Sequence, residues 1–257
     1  VIEEIISTLS TVADEINISL SSDLIWNKDP NPVALVKAGR DFFDAPWSIR
    51  YSSTESGGVG LGTSLDADDQ EALHTVGRPR LGVEASIRDD EGQLVTPGEI
   101  GEIWLRSDAI MSCYWNDPLS TKETIIEGWL KTGDLAFQDP NGCFHLAGRI
   151  NEMFIRGGYN IFPLEIENVL SAHQSISEVA VIPRKDEVMG EIGVAVIVPK
   201  EFDNPPSLED LRKHSQEYLA QYKLPEAIRI VETLPRNTSD KIDRLKLREY
   251  EDSHNGV

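Results

Sequence analysis

The spacing of apolar and polar positions divides the chain into three stretches. In residues 1–31 apolar side chains recur at helical spacing, which predicts an amphipathic helix: Ile2, Ile5, Ile6, Leu9, Val12 and Ile16. Asp29-Pro-Asn-Pro32 then interrupts the pattern, because each proline disfavours helix in the residue before it. A helix of this kind either packs on its own domain or offers its apolar face to a partner, and we favour the packed form.

In residues 32–150 the pattern is mainly that of short strands. A helical run over 32–43 comes first. Short apolar runs follow, separated by Asp- and Gly-rich turn signals at 88–93, 96–99 and 138–142. Strands spaced in this way predict a small antiparallel sheet or barrel.

Residues 151–257 alternate between helical and strand patterns. Pro163 is well placed in the first turn of a helix, and Ser207 with Asp210 resembles a capping box that would start a helix running to Ala220. Apolar runs at 179–183, 193–199 and 227–231 are typical of strands. The alternation predicts a small α+β domain.

Charge and composition narrow the classes of function. The chain has 257 residues, with 44 Asp and Glu against 24 Lys and Arg, giving a formal net charge of −20. This charge argues against a nucleic-acid partner and against anionic membranes, since both need a basic face. The apolar runs are too short for a membrane span. Two isolated cysteines give neither a disulfide framework nor metal spacing, which favours a reducing, cytoplasmic setting.

Four segments carry side chains with possible chemistry, and each has a purely structural alternative. Tyr51-Ser-Ser-Thr54-Glu55 precedes a glycine-rich turn, where a hydroxyl and a carboxylate suit a phosphate and Mg²⁺. Asp134 follows Gly133 in what we expect to be a turn, and either binds a ribose or caps the turn. Gly157-Gly158 permits close backbone approach to a ligand. Lys241 in a polar loop suits a developing phosphate charge or simply faces solvent.

In this order and spacing, the four segments resemble the adenylate-forming superfamily of acyl-CoA synthetases, peptide-synthetase adenylation domains and beetle luciferases. Ile155-Arg-Gly-Gly-Tyr-Asn-Ile-Phe-Pro-Leu-Glu-Ile-Glu167 is the most specific part, and it is similar to the acyl-CoA synthetase version. The resemblance implies ligase chemistry in two steps. A carboxylic acid attacks the α-phosphate of ATP to give an acyl-adenylate and pyrophosphate, and a thiol, usually of coenzyme A, then displaces AMP.

The resemblance also implies a role for particular residues. Tyr51 would lie against the adenine and Thr54 would contact the α-phosphate, while Glu55 would bind Mg²⁺. Asp134 and Arg149 would hold the ribose, and Lys241 would bridge the carboxylate and phosphate oxygens during adenylation. Lys and Mg²⁺ suit this step because the attack builds negative charge.

The fold implied is α+β, a β-rich, barrel-like subdomain of a large N-terminal domain followed by a small mobile C-terminal domain. We expect residues 1–75 to be a remnant of the large domain, 76–150 the β-rich subdomain and 151–257 the mobile domain. Asn151 would be the hinge, and Gly157, Gly158 and Tyr159 would line the channel for the coenzyme A thiol. Gly57 and Gly58 would form one wall of the acyl pocket.

The sequence departs from the family pattern at three positions. Ser52 replaces the usual Gly after the first Tyr, Asn151 replaces an Asp or Lys at the hinge, and Asp240 replaces the Gly before the catalytic Lys. The acidic Asp240 would offset the charge of Lys241. The upstream phosphate loop with its own Lys is not found in these 257 residues.

We therefore expect a C-terminal part of an acyl-CoA synthetase that is inactive without a missing N-terminal half or partner chain. Two alternatives stay open. The first is a non-catalytic or split-gene protein that binds a nucleotide, an acyl carrier or a partner chain. The second is an adenylation module that loads a carrier protein instead of coenzyme A. The residues present do not identify the carboxylic acid.

Overall fold

The computed structural model describes residues 48–238 and 240–254. The predicted helices at 1–20 and 32–43 lie outside these residues. The described strands are Arg50–Tyr51 (β1), Leu61–Gly62 (β2), Arg78–Pro79 (β3), Glu84–Arg88 (β4), Gly101–Arg106 (β5), Ile125–Ile126 (β6), Trp129–Gln138 (β7), Phe144–Arg149 (β8), Phe154–Arg156 (β9), Tyr159–Ile161 (β10), Ile176–Asp186 (β11), Gly190–Pro199 (β12) and Ala227–Ile230 (β13). The described α-helices are Asp69–His74 (α1), Pro118–Thr124 (α2), Pro163–Ser171 (α3), Leu208–Ser215 (α4) and Arg244–His254 (α5).

The first part of the described chain is an antiparallel β structure, as the turn signals predict. Strands β1, β2 and β3 form a small sheet, and a second sheet has the order β4-β5-β7-β6 with β8 paired to β7. Asp89 and Asp139 make the predicted turns, because each carboxylate accepts two backbone N–H groups further along its loop. The described strands form open sheets and not a closed barrel, so the barrel-like expectation is corrected to two sheets over a shared core.

The C-terminal part is a five-stranded sheet with helices on both faces. Its order is β10-β9-β12-β11, with β13 parallel to β12. Alternate residues of β12 enter different cores: Ala195 and Ile197 pack with helix α3, whereas Val194 and Val196 pack with Leu247 of α5. Because both faces are covered, the strand reads as a continuous apolar run. The predicted α+β domain is confirmed.

The two predicted helix starts are confirmed, and one predicted end is wrong. Helix α3 begins at Pro163 and buries Ile166 and Leu170. Helix α4 is capped by Ser207, whose capping box with Asp210 is complete. The helix ends at Ser215 and not at Ala220, because a turn there carries Leu219 into the core beside α3.

Candidate active site

Three of the residues predicted to surround the nucleotide meet around one carboxylate. The Tyr51 Oη donates to Asp134 Oδ2 at 2.6 Å, and Arg149 Nε donates to Asp134 Oδ1 at 2.7 Å. Tyr51 lies in β1, and Asp134 faces Arg149 directly in the β7–β8 pair. Each carboxylate oxygen therefore has a strong donor, which fixes the plane of the Asp134 side chain.

Burial and charge keep Tyr51 protonated and Arg149 positively charged, as their hydrogen bonds to Asp134 require. Burial, followed by the negative charge of Asp134, raises the pKa of Tyr51 well above its usual value, so Tyr51 remains a donor. The charge of Asp134 also raises the pKa of Arg149. The Asp134 side chain is only 11% exposed, whereas that of Arg149 is 57% exposed. Arg149 thus gives this cluster a positively charged outer surface that an anionic nucleotide could approach.

The sequence predicted Asp134 at a turn, and this prediction is wrong. Asp134 lies inside the ten-residue strand β7. The β5–β7 register is interrupted here, because Glu102 faces Leu135 and Trp104 faces Lys131. Residues 132–134 therefore stand opposite Ile103 alone, and Gly133 has a φ of +73°. This is a β-bulge, a feature that re-aims a side chain without ending the strand.

Thr54 and Glu55 lie in the turn that follows β1. The Thr54 side chain is exposed, and its carbonyl accepts the amide of Gly57. The Glu55 carbonyl accepts the amide of Met111, and its Oε1 accepts the phenol of Tyr114 at 3.1 Å. Partial burial acts to raise the pKa of Glu55, but hydrogen bonds from its own amide and from Tyr114, with the charge of Arg149, lower it.

An ionised Glu55 beside a hydroxyl suits a hard cation such as Mg²⁺, which takes oxygen ligands and usually keeps several waters. Among the described residues no group of three His, Cys, Asp or Glu could hold a metal by itself. A metal at Glu55 would therefore complete its shell with substrate phosphates and water. The residues present fit Mg²⁺ in this shared manner.

The predicted acyl-wall glycines both have left-handed backbones but differ in their surroundings. Gly57 has a φ of +67° and Gly58 a φ of +75°. A Cβ on Gly57 would stand 2.2 Å from the carbonyl oxygen of Ala109, whereas a Cβ on Gly58 would meet nothing within 4 Å. The turn thus packs tightly at Gly57 and is open at Gly58.

Asn151 lies in a single 3₁₀ turn, Ile150–Glu152, directly after β8. Asn151 is exposed. The next residue, Glu152, forms an ion pair of 3.1 Å with Arg244 at the start of α5. Arg244 also binds Glu167 of α3 and the carbonyl of Val181 in β11. The chain beyond Asn151 is therefore attached to the body of the C-terminal domain within one residue.

The glycine pair predicted to line the thiol channel forms the turn between β9 and β10. Gly157 and Gly158 have φ values of +55° and +87°, which glycine adopts at little cost. The Gly157 amide donates to the carbonyl of Met189 at 2.8 Å. The exposed ring of Tyr159 stacks on Tyr222, with 4.4 Å between the ring centroids.

Lys241 lies in the loop between β13 and α5. Its amide donates to Asn237 Oδ1 at 3.0 Å, and its carbonyl accepts the Asn237 amide at 2.8 Å. Asp240 has a φ of +62°, and its carbonyl accepts a guanidinium N–H of Arg236. The residue in the place of the family's Gly therefore keeps a left-handed backbone, which Asp tolerates better than most residues.

The structure brings Tyr51, Asp134 and Arg149 into direct contact, and the charge of Arg149 reaches Glu55. It places the Gly157–Gly158 turn, with Tyr159 at the start of β10, apart in sequence from the loop that carries Lys241. Sequence reasoning missed Tyr114 and Glu102. Glu102 directly before the apolar run 103–105 was a signal for Glu102, and nothing local marked Tyr114.

Comparisons with known proteins identify the family to which the chain is similar. The family described as "AMP-binding enzyme" matches residues 20–115, and "AMP-binding enzyme C-terminal domain" matches residues 165–241. A fatty acid–[acyl-carrier-protein] ligase, ScoC, of Streptomyces coeruleorubidus is 33% identical over 227 residues, covering 88% of this chain and 44% of that protein. The long-chain-fatty-acid–CoA ligase FadD13 of Mycobacterium tuberculosis is 36% identical over 199 residues, covering 77% and 39%.

Solved structures match over nearly the whole chain. The amide bond synthetase McbA of Marinactinospora thermotolerans superposes with a TM-score of 0.84 at 26% identity, covering 98% of this chain and 55% of that one. The o-succinylbenzoate CoA synthetase MenE of Bacillus subtilis, in complex with its acyl-adenylate intermediate, gives 0.81 at 27% identity, covering 96% and 54%. The fold and the family models thus place the chain among the AMP-binding enzymes and their C-terminal domain.

The chain belongs to the adenylate-forming superfamily. It spans less than half the length of the two curated relatives named above. Within the described part of the chain, no helix combines the length and the apolar character needed to cross a membrane.

Proposed function

We propose that this chain forms the C-terminal part of an ATP-dependent ligase that activates a carboxylic acid as its adenylate and transfers the acyl group to a thiol. The observation that carries the proposal is the buried Asp134 carboxylate, held by Tyr51 and Arg149. A buried carboxylate can accept hydrogen bonds from the two hydroxyls of a ribose, and the neighbouring guanidinium can bind the phosphate charge. We take residues 1–75, 76–150 and 151–257 as the working division of the chain.

In the first half-reaction Asp134 would accept the ribose hydroxyls and Arg149 would stabilise the nucleotide's charge. Tyr51 would border the adenine while its phenol positions Asp134, and Thr54 would donate to the α-phosphate. Glu55, which hydrogen bonds keep ionised, would hold Mg²⁺. When bound, Mg²⁺ neutralises phosphate charge. Lys241 would bridge the attacking carboxylate and the α-phosphate, and pyrophosphate leaves.

In the second half-reaction the domain would turn about Asn151, replacing the loop of Lys241 by the loop of Gly157, Gly158 and Tyr159. Because Glu152 is fixed to Arg244, rotation at Asn151 would move these two loops as one body. The thiol would pass the glycine pair, attack the acyl carbonyl and release AMP. Gly57 and Gly58 would border the acyl group.

Coenzyme A is the acceptor that we propose, because the 155–167 segment is similar to the acyl-CoA synthetase version and FadD13 is named as a CoA ligase. An acyl carrier protein is the second candidate, favoured by the 33% identity to ScoC, which is named as a ligase for acyl carrier protein. The two acceptors share the same terminal thiol chemistry, so the adenylation step does not distinguish them.

The proposal is tested by ATP–pyrophosphate exchange with a panel of carboxylic acids. The chain is assayed alone and together with the N-terminal half of a related ligase that carries the phosphate loop. We expect exchange only in the combined sample. Transfer is then followed separately with coenzyme A and with acyl carrier protein.

Lys241→Ala should reduce the exchange by at least about a hundredfold, since it removes a charge that acts in the transition state. Lys246→Ala is the matched control, because Lys246 is an exposed lysine in the first turn of α5. Equal exchange in both variants would contradict the role of Lys241. Exchange that is absent in the combined sample, for every acid, would contradict the catalytic proposal and favour a binding protein.

A further inference from the structure

The bulge that carries Asp134 depends on one buried carboxylate of the neighbouring strand. Glu102, in β5, is only 7% exposed. Its Oε1 accepts the amide of Gly133 at 2.9 Å, and its Oε2 accepts the indole N–H of Trp104 at 3.0 Å. The ammonium of Lys131 lies 3.6 Å from the same Oε2. A buried carboxylate that accepts from this set of donors is fixed in place.

The bulge needs such a partner because it removes the Gly133 amide from the sheet ladder. Residues 132–134 stand opposite Ile103 alone, so their amides cannot all join the ladder with β5. Thr132 compensates in part, since its hydroxyl donates to the Ile103 carbonyl and accepts the Asp134 amide. The Gly133 amide donates its hydrogen bond to the Glu102 carboxylate. A half-buried N–H without an acceptor would favour a different register.

Register decides the direction in which Asp134 points. Successive side chains of a strand alternate between its faces, so a slip of one residue would turn Asp134 away from Arg149 and Tyr51. Space around Gly133 does not enforce the bulge, because a Cβ there would meet nothing within 4 Å. Its φ of +73° and its hydrogen bond to Glu102 are what define it.

We propose that Glu102 is a positioning residue for nucleotide binding, which holds the Gly133 bulge and thereby aims the Asp134 carboxylate at the ribose. The inference rests on the proposed function, in which Asp134 binds the nucleotide. Glu102 itself does not touch the nucleotide. Its contribution passes through one peptide unit, from the Gly133 amide to Asp134.

The chemistry of glutamine allows a test with an internal rescue. Both principal partners of Glu102 are donors, so Glu102→Gln must turn its NH₂ group toward either Gly133 or Trp104. Trp104→Phe removes one of these donors and leaves the carboxylate facing Gly133. In the Glu102→Gln/Trp104→Phe double variant, the amide oxygen can face Gly133 while the NH₂ group faces the phenyl ring.

The probe is AMP, titrated into this chain with amide chemical shifts as the readout, and thermal midpoints are recorded for every variant. We expect Glu102→Gln to weaken AMP binding about tenfold and to shift the Gly133 and Asp134 amide signals. Trp104→Phe should bind AMP as the wild type does. The double variant should regain most of the affinity, although it lacks one more native side chain.

The outcomes separate the inference from the proposed function. A wild-type chain that does not bind AMP at millimolar concentration would contradict the proposed nucleotide site before any variant is compared. If the wild type binds AMP and Glu102→Gln binds it equally well, the positioning role is overturned, whatever its thermal midpoint. A double variant weaker than Glu102→Gln would also overturn it, because a merely structural carboxylate predicts additive damage.

Discussion

The phenol oxygen of Tyr51 lies 2.6 Å from Oδ2 of Asp134, across 83 residues of sequence. This hydrogen bond joins the small sheet of β1–β3 to strand β7 of the larger sheet. It also explains why Tyr51 is buried although we predicted that it borders a ligand. In the proposed site Tyr51 would act in two ways, through its ring against the adenine and through its hydroxyl on Asp134.

Tyr51 is expected to resist ionisation until the chain unfolds. Burial and the charge of Asp134 raise its pKa in the folded chain above the usual value of about 10. The stabilisation is complete below the unfolded-state pKa and is lost as the pH rises through the folded-state pKa. Tyrosinate absorbance of the six tyrosines should therefore show a late step that coincides with alkaline unfolding.

The control for this titration is Tyr51→Phe, which should lack the late step and retain the earlier ones. Tyr114 also has a raised pKa, from burial and from Glu55, so Tyr114→Phe serves as a second control. A late step that persists in Tyr51→Phe would refute the assignment to Tyr51.

Alanine at Gly57 should destabilise the chain more than alanine at Gly58. Both positions have a positive φ, which costs an L-residue about 1 kcal/mol. At Gly57 the new Cβ would also overlap the Ala109 carbonyl, and the turn must move to relieve the contact. Urea unfolding of the two variants measures the difference. Equal free energies of unfolding would show that the turn adapts without cost.

Arg244→Gln should lower the free energy of unfolding by about 3 kcal/mol, because it leaves buried Glu167 without its cationic partner, although the Val181 amide still donates to it. Burial alone would lower the pKa of Arg244, but the charges of Glu167 and Glu152 outweigh it and raise the pKa. Thermal and denaturant unfolding check the result. Amide exchange at residues 151–153 should also rise, because Glu152 is released.

Arg106→Gln is the matched control for Arg244→Gln. Arg106 forms a comparable two-bond pair with Glu84, but both side chains are exposed. Exposed pairs contribute little to stability, so this variant should unfold close to the wild type. Similar losses in the two variants would contradict the importance of burial.

The two cysteines should differ in their reaction with a thiol reagent. Cys113 is exposed, whereas Cys143 is buried, and burial raises the pKa of Cys143. We expect one thiol to react rapidly in the native chain and the second only on unfolding. Cys113→Ser should abolish the rapid phase. Cys143→Ser should leave it intact, and a rapid phase lost in that variant would reverse the assignment.

Local sequence signals predicted much of the fold. The Asp-Gly turns, the Pro163 helix start, the Ser207 capping box and the strands of the C-terminal domain are all present. These features depend on residues within a few positions of one another. The predicted end of helix α4 was wrong because Leu219 packs into a core formed by elements distant in sequence.

The order of the four motifs determined, from sequence alone, the family and the residues expected to form its site. Tertiary structure decided how those positions are held. Asp134 lies in a bulge whose acceptor, Glu102, is 31 residues away; Tyr114 reaches Glu55 over 59 residues, and Arg244 reaches Glu167 over 77. Such partners have no local spacing by which a sequence could reveal them. They are brought together only when the strands pair and the helices pack, because burial then requires every charge to have a partner.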